Sequence, residues 1–345
     1  MTRFIQLHVL TSYPPANLNR DDLGQPKTAR VGGVERLRVS SQSLKRAWRT
    51  SDLFVEVLAG RIGTRTKRLG VEADEILRRA GVADGKAAEW ASKIAAVFGA
   101  VKKDKPLEIE QLVHVSQEER QAVADLAALL ANERRAPKEE ELDALLSKQS
   151  AVDIAMFGRM LADKPQHNVE AAVQVAHALG VHGSVIEDDY FTAVDDLNRL
   201  DESGAGHVGE AGFSAALFYL YLCIDRDRLK EHLQGDEALT RRALGALVEA
   251  VLKVAPTGKQ NSFASRAYAH FALAEKGGQQ PRSLALAFLK PVDGSDYATE
   301  ATELLLRVRG NMDKVYGPCA DASVCFNALS GEGSAAELVD FVAGE

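Results

Sequence analysis

The sequence predicts an α+β fold, and three observations carry that prediction. Strand-like and helix-like patterns interleave near both ends of the chain, residues 55–180 between them read as helical, and the run Ser214–Ile224, SAALFYLYLCI, has the apolar and aromatic composition of a strand. With 345 residues and 46% hydrophobic content, the chain has enough apolar material for one large domain or two ordinary ones.

Residues 3–12 alternate as a strand, and Val34–Val39 alternates again after the Gly32-Gly33 pair as a strand or hairpin arm. Ser40-Ser41 opens a helix over 41–50, with Leu44, Ala47 and Trp48 inward and Gln42, Lys45, Arg46 and Arg49 on or near the outer face. Farther on, Trp90, Ile94, Val97 and Phe98 keep helical spacing, and Ser116-x-x-Glu119 reads as a capping box. Pro137 begins a further helix at its first turn, and Gly180 closes one that contains Val169 to Leu179, so 55–180 is expected to be all helical. A strand follows over 214–224, then a helix over 236–254, a strand over 267–274, a helix near 297–315, a strand over 323–329 and a short terminal helix. This order fits a ferredoxin-like or RNA-recognition-motif core interrupted by a helical insertion, although the pattern does not by itself separate that core from other α+β folds. The pair of base-stacking aromatics usual on two central strands of such a motif is not obvious here.

Charge is distributed unevenly. Residues 1–50 hold nine Lys/Arg against three acids, a local +6 in a chain of −7, so the remaining residues carry −13. Such asymmetry points to a local polyanion site on a protein that is not globally basic. The densest part is Asn19–Arg49, NRDDLGQPKTARVGGVERLRVSSQSLKRAWR. A helix start leaves backbone N–H groups unpaired, so Ser40 and Ser41, with Lys45 and Arg49 one and two turns on, suit a sugar-phosphate chain. The alternative is that one serine merely caps the helix and the cations are solvated.

Other chemistries find less support. No apolar run approaches the ~20 residues that span a bilayer, and a cytoplasmic location is expected. Cys223, Cys319 and Cys325 form no C-x-x-C pair, His177 and His182 are poorly spaced for a shared metal, and His8, His207 and His270 have no nearby cluster, so neither metal nor cofactor is expected. Asp21-Asp22, Asp188-Asp189 and Asp195-Asp196 offer carboxylates for two-metal phosphodiester cleavage, though paired acids beside turns are more often caps. No P-loop, nucleophile elbow or dinucleotide fingerprint occurs.

Several motifs in one order, FIQLHVL, LNRDD, the glycine pair, SSQSLKRA, VDIAMFGRM (152–160), VAHAL (175–179), YFTAVDDL (190–197) and Gly258-Lys259-Gln260, closely resemble the CasC family, the backbone subunit of the type I-E CRISPR surveillance complex, Cascade. Residues 51–150 carry little of the likeness. The resemblance implies a modified ferredoxin-like/RNA-recognition-motif palm (1–54 and 217–345), a helical fingers insertion (55–180) and a thumb hairpin with its base (181–216). It also implies a non-catalytic subunit that binds guide RNA (crRNA), polymerises head to tail so that each thumb folds over the guide on the next copy, and presents the guide to target DNA. Other Cascade subunits would be partners, with a separate helicase-nuclease acting indirectly. The RNA-binding residues implied are Asn19, Arg20, Lys27, Ser40, Ser41, Gln42, Lys45, Arg46, Arg49, Arg159, Thr192, Lys259 and Gln260, with Met160 and Phe191 wedging a kink that turns out one base at intervals. One departure is Pro137-Lys138-Glu139-Glu140-Glu141, acidic where the family can carry a lysine-rich helix for duplex DNA; Arg134, Arg135, Lys102, Lys103 and Lys105 are the substitutes on offer. A metal-dependent ribonuclease using the paired aspartates is the alternative.

Overall fold

The computed structural model describes residues 3–146, 151–193 and 207–344. In chain order the elements are β1 (Phe4–Ala16), β2 (Thr28–Val31), β3 (Val34–Val39), α1 (Ser41–Arg49), α2 (Asp52–Val57), β4 (Thr64–Thr66), α3 (Leu69–Arg79), α4 (Asp84–Ala96), β5 (Val113–Val115), α5 (Gln117–Glu133), α6 (Glu139–Asp143) and α7 (Val152–Phe157). There follow β6 (Val173–Val175), β7 (Ala178–Gly180), β8 (Glu187–Ala193), β9 (His207–Asp225), α8 (Arg226–His232), α9 (Glu237–Lys253), α10 (Gln260–Phe263), β10 (Phe271–Gly277), α11 (Tyr297–Tyr316), β11 (Ala322–Asn327) and α12 (Ala335–Ala343). The chain divides into two compact units, one of residues 1–54, 175–224 and 244–345, the other of 55–174 and 225–243.

The first unit is organised by a large sheet whose main path runs β11-β10-β1-β9-β7-β3-β2, with β8 paired to β9. β1 meets β10 antiparallel from Phe4↔Gly277 to Leu10↔Phe271. The alternation of β1 and β10 drives Leu10, Phe271 and Leu273 into a core shared with Leu217 and Tyr219 of β9, Phe288, and Ala301 and Leu305 of α11. A polar network lies within this buried layer. Glu275 is fully buried, receives Nε2 of His8 at 3.2 Å and Arg309 Nε at 2.7 Å, and is bridged by both arms of Arg282. Burial alone would raise its pKa, but bonds from His8, Arg282 and Arg309 outweigh that and hold the carboxyl well below the usual range. His8 faces Tyr219 Oη at 2.9 Å through Nδ1, and burial keeps its pKa below the ordinary value despite Glu275.

Gly32 and Gly33 join β2 to β3 with φ of +63° and +84°, the left-handed pair a two-residue hairpin needs. Beneath this turn Arg36, one of the nine basic residues of 1–50, is fully buried and donates to the carbonyls of Phe288 at 2.6 Å, Leu289 at 3.1 Å and Gly180 at 3.5 Å. It is an internal staple.

In the second unit α3, α4 and α5 pack around Leu69, Leu77, Trp90, Ile94, Val123 and Leu130. Ser116 and Glu119 form the expected capping box at α5. The insertion is not all helical, however. β4 and β5 pair antiparallel from Thr64↔Val115 to Thr66↔Val113, and the helix expected over Val169 to Leu179 is replaced by β6 and β7. Alanine's helix propensity is worth a fraction of a kcal/mol per residue, and β7 loses it to pairing on both edges: Leu179 lies opposite Arg38 on one side and Tyr219 on the other. A Cβ added to Gly180 would lie 3.4 Å from the Leu37 amide and carbonyl, in ordinary contact with β3.

Two predictions concern stability. A Cβ on Gly32 would lie 1.8 Å from the Leu289 carbonyl oxygen, whereas one on Gly33 meets nothing within 4 Å. Gly33→Ala should cost about 1–2 kcal/mol from left-handed strain alone, and Gly32→Ala distinctly more, in urea titrations of the two variants.

The second is a pH dependence. His8 has its folded pKa lowered from 6.5, so the unfolded chain takes up the proton first; its contribution is complete above pH 6.5 and is lost as pH falls through the depressed folded value. Melting temperature should decline below pH 6.5, and His8→Gln should flatten that decline.

Candidate nucleic-acid interface

α1 begins where β3 ends. Ser40 is its N-cap and accepts from the Ser43 amide at 3.3 Å, while the Ser40 amide donates to Asn19 Oδ1 at 2.8 Å. Both Ser40 and Ser41 are buried, so the first of these hydroxyls serves as the ordinary cap. The Ser41 amide points at Nδ1 of His177 at 3.3 Å, and Arg38 Nη1 reaches the same nitrogen at 3.1 Å. Burial, then Arg38, Lys27 and Lys45, lowers the His177 pKa, which places three cations around an imidazole that stays neutral.

Along α1, Gln42 and Arg46 are exposed and Lys45 is half-buried. Arg49 is a correction: only 8% of it is exposed. It stands on the shoulder of the stripe formed by Ser41, Leu44 and Trp48, in the last turn before the chain bends at Thr50 into α2. A cation there is not a freely presented phosphate contact.

The loop after β1 forms one wall of an open groove of about 520 Å³ lined by Leu18, Asn19, Arg20, Asp21, Asp22, Gly24, Ser43, Thr257 and Gly258. Gly258 makes this wall possible, because a Cβ there would come within 2.3 Å of the Leu18 carbonyl oxygen. Lys259, at φ +43°, and Gln260 follow as half-buried residues at the start of α10. Arg20 is exposed, Lys27 half-buried, and Arg20 bridges to Pro26. Asp21 Oδ1 accepts from the amides of Leu23 and Gln25, both at 2.9 Å, so this aspartate shapes the turn. Sequence reasoning passed over Asn17, which is fully buried and donates from Nδ2 to Gly24 at 2.9 Å and Gly212 at 2.8 Å, tying the loop to β9. An asparagine closing a strand before a charged loop was the available signal.

Where a thumb is expected, β8 and β9 form a ribbon paired from Glu187↔Phe213 to Ala193↔His207. Every residue of β8 is exposed, Tyr190 at 67% and Phe191 at 43%. Phe191 lies opposite Gly209, and its ring occupies the space a side chain would take, with Cζ 2.4 Å from a Cβ built there. Thr192 faces the other side, opposite Val208. Asp188 and Asp189 project from alternate faces of β8, which separates them. Asp195-Asp196 and residues 204–206 of the glycine-rich stretch before β9 lie outside the described residues. Among the described residues no group of three His, Cys, Asp or Glu is placed to share a metal ion.

In the second unit the neighbours Arg159 and Met160 part company. Met160 is 78% exposed, whereas Arg159 is buried and bonds both Glu119 oxygens at 2.8 and 2.7 Å and the His114 carbonyl at 3.2 Å. The sequence expectation of a phosphate contact from Arg159 is overturned. Glu119 is committed to the capping box in a buried place, and removing its cation would cost about 3–5 kcal/mol. The acidic stretch at α6 is likewise engaged: Glu141 bonds Arg135, the first of the causes that pull its pKa down to about 2, so Arg135 is not a spare duplex contact.

Residues 5–341 match the family described as CT1975-like protein. The chain belongs to the CT1975-like family. Among solved structures, a chain of a "CRISPR RNA-guided surveillance complex, pre-nicking" is 32% identical, with TM-score 0.84 and 99% of each chain covered. A chain of another "CRISPR RNA-guided surveillance complex" is 28% identical with TM-score 0.62, covering 99% of this chain and 98% of the other. No curated protein matches significantly in sequence. No helix among the described residues is long and apolar enough to cross a membrane.

Because Gly209 makes room for the ring, Gly209→Ala should displace Phe191 without destabilising the unit. Aromatic NMR of selectively labelled phenylalanine should show the Phe191 resonance move, with the melting temperature unchanged within a degree or two; an unmoved resonance would contradict the packing.

Proposed function

We propose that this CT1975-like protein is a non-catalytic backbone subunit of a type I-E Cascade, binding guide RNA in several head-to-tail copies and presenting it for pairing with target DNA. The observation that carries the reading is the full-length likeness, TM-score 0.84 over 99% of both chains, to a chain of an RNA-guided surveillance complex. The local chemistry supports it. Arg20 flanks the groove, Lys27, Arg38 and Lys45 gather round a neutral imidazole, and all four belong to the basic segment of an otherwise acidic chain. Such contacts hold register on the backbone and read no sequence, which is left to pairing between guide and target.

In this reading Phe191 and Met160 supply exposed apolar surface against bases, the two-faced ribbon closes over RNA on a neighbouring copy, and the contact is heterologous, extending a filament. The other Cascade subunits flank the array and a separate helicase-nuclease cuts the target. Arg20, Lys27, Gln42, Lys45 and Arg46 present side chains to the guide, Lys259 and Gln260 line the approach beside Gly258, Asn19, Ser40 and Ser41 shape the start of α1, and Thr192 lies beside the wedge.

Arg20→Gln with Lys45→Gln should weaken binding of single-stranded RNA regardless of sequence. Each lost phosphate contact flattens log K against log[salt] by about 0.7, so the pair should flatten it by up to ~1.4. Fluorescence anisotropy across a salt series measures this, with RNA length on gels with and without Mg²⁺ read alongside. An unchanged slope would sink the assignment of this face, and Mg²⁺-dependent cleavage would favour a nuclease.

A further inference from the structure

We infer that His177 is a positioning residue of the guide-binding face, holding the Arg38 guanidinium at the mouth of α1 so that it meets a backbone phosphate. The inference rests on the function proposed above and adds two residues to it. The extended pairing of β3 with β7 sets the geometry. Arg38 lies opposite Leu179 and Val39 opposite Ala178, so His177, the next residue back along that strand, falls beside Ser40 and Ser41, where β3 becomes α1.

His177 Nδ1 is approached by two groups that can only donate, the Ser41 amide at 3.3 Å and Arg38 Nη1 at 3.1 Å. That nitrogen therefore carries the lone pair, and the ring hydrogen sits on Nε2, which has no partner among the described residues. Arg38 is held at a second point through Nε and the Thr28 carbonyl at 3.5 Å, and its own amide is fixed on the Lys27 carbonyl at 2.8 Å. Its Nη2 edge has no partner among the described residues, and no carboxylate pairs with it there.

A guanidinium fixed through Nε and Nη1 with Nη2 left open is preorganised for a phosphate oxygen, because the ordering of a long side chain has been met before RNA arrives. A neutral imidazole performs this task where another cation would be repelled by Lys27, Arg38 and Lys45. The same ring also takes up the Ser41 amide, one of the donors a helix start leaves over. Arg38 thereby offers an oriented anion contact at the helix mouth, and its direction depends on His177.

The test is a double-mutant cycle on the full-length chain, read by anisotropy of a fluorescein-labelled single-stranded RNA of mixed sequence over a salt series. Arg38→Gln should weaken binding several-fold and flatten the salt slope by about 0.7, one phosphate contact. His177→Ala should lower affinity and slope in the same sense, and the double variant should be no weaker than Arg38→Gln alone, because the imidazole acts through the guanidinium. His177→Asn, whose amide oxygen replaces the Nδ1 acceptor, should restore both affinity and slope. Additive losses, an unchanged slope in Arg38→Gln or His177→Ala, or failure of the asparagine variant with an unchanged melting temperature would overturn the inference and leave the proposed function intact. A parent chain that binds no RNA would overturn both.

Discussion

Glu275 is a carboxylate with no exposed surface, and the first unit is arranged around its neutralisation. An isolated buried charge costs several kcal/mol, so it persists only where partners converge on it. His8 reaches it from β1, Arg309 from α11, and Arg282 from the segment after β10, so three stretches distant in sequence are indexed to one atom pair. Hydrophobic burial would hold these elements together in several registers. The carboxylate favours one, because a shift of one residue along β1 would exchange His8 for an apolar neighbour and remove one of the partners of Glu275.

From that fixed register the interface follows by short steps. β1 ends at Ala16, and buried Asn17 turns the chain into the loop that lines the groove. Arg36 fastens β3 to the carbonyls of Phe288 and Leu289, and the same strand delivers Arg38 and then Ser40 to the mouth of α1. The cations that meet solvent are thus placed by cations and polar groups that do not. Arg36 and Arg38 are two residues apart on one strand, with one wholly internal and the other facing His177.

Much of this was legible in the sequence where a local rule and the tertiary demand agree. The strand at Val34–Val39, the cap at Ser40, the box at Ser116–Glu119 and the long helix from Tyr297 each follow from alternation, capping chemistry or helical period. The misses have a common cause. β7 ends an alanine-rich stretch yet pairs on both edges, Arg159 reads as a surface cation yet answers a carboxylate 40 positions away, and Arg49 occupies the shoulder of a helix stripe that the fold covers. For β7 and Arg159 a partner remote in the chain decides, for Arg49 the burial of its helix face, and composition holds no record of either. His177 was visible only as an ill-spaced metal ligand, because its significance lies in which two donors surround Nδ1.

The β8–β9 ribbon carries its charge in an awkward place for a protein proposed to bind RNA. Glu187, Asp188 and Asp189 open β8 and Glu210 lies opposite Tyr190, while Tyr190, Phe191 and Val208 supply exposed apolar surface. Acids at the root of such an arm discourage it from running alongside a polyanion, since every nucleotide of parallel contact would add repulsion. Crossing the strand once, apolar surface first, avoids that. In the proposed array, an arm that crosses rather than follows would divide a bound polynucleotide into equal intervals, one for each protein copy. Such an array would work as a measuring rod, its length counted in subunits and set by how much RNA there is to divide.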